Sequence, residues 1–357
     1  MVILVVFLSL IILIVLHELG HFILAKKFGV EVEEFGIGYP PRLCGKIFKG
    51  TLYSLNLLPF GAFVKIKGEE GGIEDVRSFS TKPIWQRALI ILGGVVSFWL
   101  VAAILLSIVF GLGVPQSISD DIEANNPKVQ IIAVVSDSPA EKAGIKIGDT
   151  IKEFSIFNSK FSIDKIGQVQ ELTEIYKNEE IILTIERGKK IFDTTLVPRV
   201  SPPEGEGAMG VALTRTTLVR YPWYLAPVKG VEACFNLTGS IIAGLSQVLG
   251  NLIYGKGLPA GAQLMGPIGI GLLMTQVARF GATYYLQFVA LIAIYLAVFN
   301  ILPIPALDGG KLLFLAIEKV RGRALNPKIE QNITVVFFVL LICIMILVTI
   351  KDIIRIF

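Results

Sequence analysis

Four apolar runs, residues 2–24, 88–112, 284–302 and 333–350, restrict the environments in which this 357-residue chain can fold. Each is close to the ~20 residues that a helix needs to cross the hydrocarbon core of a bilayer. Composition agrees, with 53% hydrophobic and 17% charged residues, where soluble domains carry roughly 25% charged. The net charge of +4 comes with no basic cluster interleaved with aromatics. That balance favours contact with anionic lipid and argues against nucleic acid as a partner. Cys44, Cys234 and Cys343 are scattered and form no CxxC, so they supply neither a disulfide framework nor a thiolate metal site. The first run lacks a basic leader and ends in Lys26-Lys27 rather than a small-residue cleavage site. It therefore reads as a retained span and not as a signal peptide.

The loops orient these spans. Lys26, Lys27, Arg42, Lys46, Lys49, Lys65, Lys67, Arg77, Lys82 and Arg87 lie between the first and second runs or at their ends. Lys311, Lys319, Arg321, Arg323 and Lys328 lie between the third and fourth. Basic loops of this kind stay in the cytoplasm, which puts Met1 outside and, for an even number of spans, returns Phe357 to the same side. The long acid-rich segment 115–221 then faces outside as well. It reads as a soluble α+β domain, with strands at 129–135, 181–187 and 191–197 and helices at 138–145 and 166–176. The predicted plan has an N-terminal membrane half (1–114), the outer domain (115–221), an interfacial segment (222–283) and a C-terminal membrane half (284–357). Within the third part, residues 231–254 alternate apolar residues with Asn236, Thr238, Ser240, Ser246 and Gln247. That pattern predicts an amphipathic helix on the membrane surface, with a fifth span as the alternative.

The chain contains two histidines, and both lie in His17-Glu18-Leu19-Gly20-His21 inside the first run. Residues four apart on a helix share a face, so both imidazoles can reach one metal ion, with Glu18 beside them. Polar side chains at membrane depth are costly, which marks them as functional candidates. Catalytic zinc takes three protein ligands and a water. Without a third histidine the remaining ligand is an Asp, Glu or Cys. Asp308 is the best candidate. It closes the run Asn300-Ile301-Leu302-Pro303-Ile304-Pro305-Ala306-Leu307-Asp308-Gly309-Gly310, whose prolines break the third span. Irregular backbone at that depth needs cover from protein or a water-filled cavity. The alternative is a helix exit at the membrane surface, with Asp308 as its cap.

Several of these runs also resemble known families. Residues 138–151, Ser-Pro-Ala-Glu-Lys-Ala-Gly-Ile-Lys-Ile-Gly-Asp-Thr-Ile, resemble the signature of bacterial PDZ domains, which bind peptides by strand addition. His17–His21 paired with Asn300–Gly310 resembles the signature pair of the site-2 protease family of intramembrane zinc metalloproteases. The likeness extends over nearly the whole chain, through Phe35-Gly36-Ile37-Gly38, the segment Leu58–Lys65 and Met265-Gly266-Pro267-Ile268-Gly269-Ile270. The form it most resembles is the bacterial enzyme that cleaves anti-sigma factors. Two departures stand out: there is room for one PDZ domain where the best-known members carry two, and Ser97 stands where members often have Asn.

The resemblance implies a polytopic α-helical membrane protein of about four transmembrane helices. It adds a membrane-associated β-hairpin and a single extracytoplasmic PDZ-like domain, in the bacterial cytoplasmic (inner) membrane. It implies Zn2+ held by His17, His21 and Asp308, with Glu18 as the general base. Asn300 resembles a catalytic polar partner that bonds the substrate backbone or the oxyanion, the alternative being that it satisfies groups of the broken helix. Pro59, Phe60, Gly61, Ala62, Phe63 and Val64 would take an unwound substrate by strand addition, the alternative being a hairpin resting on lipid. Substrates would be single-pass membrane proteins already trimmed by another protease. The outer domain would bind the new carboxyl terminus or act as a size filter. The competing readings are an inactive homologue that binds membrane proteins through its PDZ-like domain, and a transporter. Intact His17, Glu18, His21 and Asp308 argue against the first, and the absence of internal repeats against the second.

Overall fold

A computed structural model describes residues 2–69, 75–157, 159–188, 190–203, 205–257, 265–278 and 280–356. Met1 and Phe357, whose sides of the membrane are predicted above, lie outside the described residues, as does part of the 222–283 segment. The chain divides into two compact units. One comprises Met1–Ile108, Pro227–Gln276 and Leu286–Phe357; the other comprises Val109–Ala226 and Val277–Tyr285.

In the first unit the predicted spans are helices: α1 (Val2–Lys27), α2 (Ile84–Leu112), α7 (Ala282–Ile301) and α9 (Pro327–Ile356). Each is long and apolar enough to cross a membrane. Two further helices, α5 (Ala226–Ile253) and α6 (Pro267–Ala278), precede α7, and α8 (Asp308–Arg321) follows it. At 28 residues, α5 also meets the length and composition of a crossing, where the sequence favours an interfacial helix over 231–254. The cause is tertiary. Two of its residues meet α2, Trp99 Nε1 donating to Thr238 Oγ1 at 3.2 Å and Cys234 Sγ lying 3.8 Å from the Trp99 carbonyl, while Ser240 and Ser246 bond back to carbonyls of their own helix. Gly230 fits against Ser107, whose Oγ would stand 2.3 Å from an added Cβ. Matching rising residue numbers on α5 with falling ones on α2 makes the pair antiparallel.

Between α1 and α2 stand β1 (Val32–Phe48) and β2 (Thr51–Ile66), joined by a tight turn at Lys49 and Gly50, both at positive φ. Each strand doubles back. Phe35 is partnered by Tyr53 on one side and Val64 on the other, and Tyr53 is also opposite Lys46. One row across the ribbon therefore reads Lys46, Tyr53, Phe35, Val64. Residues 62–66 form an outer edge, paired with β1 on one side alone among the described residues. A core of Ala25, Val30, Val32, Ile66, Phe79, Ile90, Ile91 and Leu315 binds this ribbon to α1, α2 and α8.

The second unit is built on a seven-stranded sheet. Its strands are β3 (Val114–Ser117), β4 (Lys128–Val134), β5 (Thr150–Ile156), β6 (Ser159–Ser162), β7 (Ile181–Arg187), β8 (Lys190–Leu196) and β9 (Val211–Val219). They run in the order β3-β9-β4-β5-β7-β8, with β6 on β5. The two predicted helices are present as α3 (Pro139–Lys142), capped by the Ser138 side chain, and α4 (Ile166–Ile175). Asp149 of the Lys146–Ile151 run is fully buried, where it receives Arg187 Nε and Nη2 at 2.6 and 2.7 Å. The start of α7 belongs to this unit: the Tyr284 hydroxyl donates to Gln130 Oε1 at 3.1 Å, and the Phe280 ring fills the notch at Gly148.

Candidate metal centre

The helical repeat brings His17 and His21 to one face of α1, and α8 begins on Asp308 opposite them. His17 Nε2 and His21 Nε2 each lie 3.3 Å from Asp308 Oδ2 and 3.3 Å from each other. Ligand atoms of a four-coordinate zinc with bonds of about 2.05 Å are about 3.3 Å apart. The three donors thus form one face of a tetrahedron of the right size and leave the fourth position free. Asp308 Oδ2 is buried with no hydrogen-bond partner among the described residues, a state that a cation relieves. Among those residues this trio is the one group of three His, Cys, Asp or Glu that could hold a metal ion.

The surroundings set the orientation of each donor. His21 Nδ1 lies 2.9 Å from the Ile90 carbonyl on α2. Donation to that oxygen fixes the tautomer and leaves the Nε2 lone pair for the metal. The ring of His17 stacks on Phe98, 4.6 Å between centroids at 17°. Glycines allow α2 to come this close. A Cβ on Gly20 would lie 2.1 Å from the Gly93 carbonyl oxygen, and one on Gly94 would lie 2.1 Å from His21 Nε2. Small residues at such crossings let membrane helices approach backbone to backbone. Gly94→Ala is therefore expected to lower zinc affinity at least tenfold while the helix content stays unchanged, as read by competition with a chelator and by circular dichroism.

Asp308 owes its place to the broken end of α7. Pro303 and Pro305 remove two amide donors after Ile301, and the chain turns back so that α8 starts beside it. Gly309 and Gly310 are pressed against this turn: a Cβ on the first would lie 2.1 Å from the Leu302 oxygen and on the second 2.3 Å from the Ile304 oxygen. Two ion pairs hold α8. Arg87 of α2 grips Glu318 with both terminal nitrogens, Nη1 at 3.0 Å, with both side chains largely buried. Lys311, one turn after Asp308, pairs with Glu69 just beyond β2. Removing one member of a buried pair costs ~3–5 kcal/mol.

The other predicted residues fall as follows. Glu18 is on α1 directly after His17 and is half-buried. Asn300 lies in the last turn of α7, and its Nδ2 donates to the Leu296 carbonyl at 2.9 Å. Ser97 likewise bonds within its own helix, Oγ to the Gly94 carbonyl at 2.6 Å. Pro59, Phe60, Gly61, Ala62, Phe63 and Val64 lie in β2, and their stretch runs along α1. Phe60 meets Phe7 edge-on, Gly61 sits near Ile14 at φ +109, and Val64 packs against the core that binds the ribbon to the helices. The Gly93-Gly94 pair within an apolar run is a legible signal for a close helix crossing. The Ile90 carbonyl, Arg87 and Glu318 have no local signature.

Residues 5–344 match the family model described as Peptidase family M50. A Clostridium perfringens protein provisionally named a zinc metalloprotease is 34% identical over 345 residues, covering 96% of this chain and 95% of that protein. Another of that naming, from Clostridium acetobutylicum, is 32% identical over 346 residues, covering 96% and 94%. The chloroplastic membrane metalloprotease ARASP of Arabidopsis thaliana is 30% identical over 351 residues, covering 95% of this chain and 76% of that protein.

Proposed function

The chain belongs to peptidase family M50, the site-2 protease family of zinc metalloproteases, and from that premise we propose that it hydrolyses peptide bonds in or beside the transmembrane segments of single-pass membrane proteins. The observation that carries this reading is the 3.3 Å triangle of His17, His21 and Asp308, two of whose members sit within the apolar helix α1. Zinc is the cofactor, and those three side chains are the residues that would hold it. When bound, it lowers the pKa of a coordinated water towards ~7 and polarises a carbonyl. Glu18 takes the proton of the attacking water and returns it to the leaving nitrogen. His21 keeps its Nε2 aimed because its other nitrogen is engaged by Ile90. Asn300 acts on its own helix end, the role that its bond to Leu296 favours over a bond to substrate.

A transmembrane helix hides its amides and must unwind before hydrolysis. The outer edge of the ribbon around residues 62–64 offers an unwound segment a strand to pair with, beside the elements that carry the three ligands. The order of elements supports the orientation. The second half of α1 carries its histidines, and α7 leads into Asp308, so these two helices run in the same sense and α2 runs back. The helix α9 departs from the same level, where Thr334 Oγ1 donates to the Pro305 carbonyl at 3.3 Å. Both termini and the unit 109–226 then share the extracytoplasmic face of a bacterial inner membrane, with the basic loops opposite. Whatever path α5 takes, the chain from the end of α2 to the start of α7 makes no net crossing. In the outer domain a groove lined by Val169, Thr173, Met209, Val211 and Leu213 separates α4 from the start of β9. Its shape fits the capture of a peptide end left by a prior cut, as expected for trimmed substrates of the anti-sigma-factor kind.

The test is reconstitution of the purified protein in lipid vesicles with a single-pass substrate, trimmed outside the membrane or left whole. Cleavage of the trimmed form that stops with a zinc chelator and returns with added zinc is the expected result. Cleavage that continues in the chelator would refute the reading, and zinc binding with no cleavage would leave the inactive homologue.

A further inference from the structure

The ribbon has a second margin at Cys44–Lys46, across Tyr53 and Phe35 from residues 62–64. Between that margin and α1 lies an apolar slot of about 480 Å³, whose lining includes Leu19, Phe22, Phe35, Cys44, Lys46 and Tyr53. Sites for small ligands have volumes of roughly 300–1,000 Å³. Three rings pack on one another in its wall. Phe22 meets Phe35 at 5.5 Å and Tyr53 at 6.0 Å, and Phe35 lies 6.3 Å from Tyr53.

Leu19 and Phe22 belong to the stripe Leu8, Ile12, Val15, Leu19, Phe22, Lys26, spaced alternately four and three residues apart. One side of α1 therefore leads from the apolar middle of the helix through the slot to a cation. At 1.5 Å per residue, Leu19 to Lys26 covers ~10 Å. Lys26 Nζ stands 5.9 Å from the centroid of the Phe22 ring, which keeps the ammonium at the slot. Lys46 brings a second positive charge to the lining. Neither lysine has an acidic partner among the described residues, whereas Arg42 and Lys65 of the same ribbon pair with Glu34 and Glu33. Leu43, Ile47, Phe48 and Leu55 near that margin are exposed, as suits a surface in contact with acyl chains.

We propose that this slot binds an anionic phospholipid, with an acyl chain along the Leu8–Phe22 stripe and the phosphate between Lys26 and Lys46. A long apolar groove that ends in two unpaired cations matches a molecule with a long apolar tail and an anionic head. The slot is on the side of α1 turned away from His17 and His21, and lipid binding there does not depend on the protease reading.

The test is native mass spectrometry of the full chain in detergent, titrated separately with dioleoylphosphatidylglycerol, dioleoylphosphatidylcholine and inorganic phosphate. Each lysine near an anionic headgroup contributes about fivefold, so the first phosphatidylglycerol is expected to bind at least about tenfold tighter than the first phosphatidylcholine. Lys26→Gln with Lys46→Gln removes that preference, and the single variants each remove part of it. Cys44→Trp, which fills the slot from an exposed position, weakens binding of both lipids. A charge-matched control, Lys319→Gln with Lys328→Gln, keeps the wild-type preference, and helix content is the same in all. Equal affinity of the wild type for the two lipids, or a preference that survives the Lys26 and Lys46 changes, overturns the proposal. So does an equal fall in the control, binding unmoved by Cys44→Trp, or displacement of the lipid by inorganic phosphate.

Discussion

Glu18→Gln is expected to lower the rate of peptide-bond cleavage by about 10²–10⁴-fold, the range typical of a lost general base, with bound zinc unchanged. The reason is a division of labour along one helix. His17 and His21 turn toward Asp308, with Nε2 atoms 3.3 Å from its carboxylate. Glu18 lies beside them in sequence but outside the triangle of donors. Gln keeps the size and the hydrogen-bonding oxygen of the side chain but cannot accept a proton at neutral pH. Vesicle assays of cleavage, paired with metal analysis of the same preparation, separate the two contributions. Zinc lost together with activity would make Glu18 a ligand or a structural residue. Activity within tenfold of wild type would move the base to another side chain.

The second large effect is on the metal. Asp308→Ala removes one of three donors, and zinc affinity is expected to fall by more than the 10–100-fold typical of an outer-shell loss. Activity disappears with it. Asp308→Ala also leaves the two Nε2 atoms, 3.3 Å apart, facing an opened space, where two ligands alone make a poor structural or catalytic zinc site. The rest of α8 stays anchored by the Arg87–Glu318 pair and by Gly309 and Gly310, so the loss belongs to the missing carboxylate and not to a displaced helix. Chelator competition followed by metal analysis measures it. One equivalent of zinc retained at wild-type affinity would exclude Asp308 from the centre.

Much of this architecture is local in origin and therefore legible. The length of an apolar run decides whether a helix can span, and the four runs became α1, α2, α7 and α9 with ends shifted by a few residues. The helical repeat alone puts His17 and His21 on one face. Pro303 and Pro305 alone end α7 and oblige the chain to turn before Asp308. The turn at Lys49-Gly50 follows from the same kind of short-range chemistry.

Other features depend on groups that meet only through packing. The Ile90 carbonyl that orients His21 is 69 residues from it in sequence, and the Arg87–Glu318 pair spans 231. A carbonyl carries no sequence signature, and an arginine at the foot of a span looks like an ordinary cytoplasmic charge. The small polar residues of α5 suggest an interfacial helix until α2 supplies Trp99 as a partner for Thr238 and Ser107 as a neighbour of Gly230. The ribbon hides its outer edge in the same way, because the resemblance of Leu58–Lys65 to a family hairpin cannot say that β1 and β2 double back.

By itself the sequence determined which helices are apolar enough for a membrane, where the third span breaks, and that two histidines share a helix face with Asp308 as the best candidate for a third donor. Only the tertiary structure decided that Asp308 meets the two histidines, with three edges of 3.3 Å. That convergence depends on Gly20, Gly93 and Gly94 letting α2 close on α1, and on two ion pairs holding α8 against it. A repeat of 3.6 residues fixes direction around one helix, whereas the distance between two helices is set by the side chains that are absent where they cross.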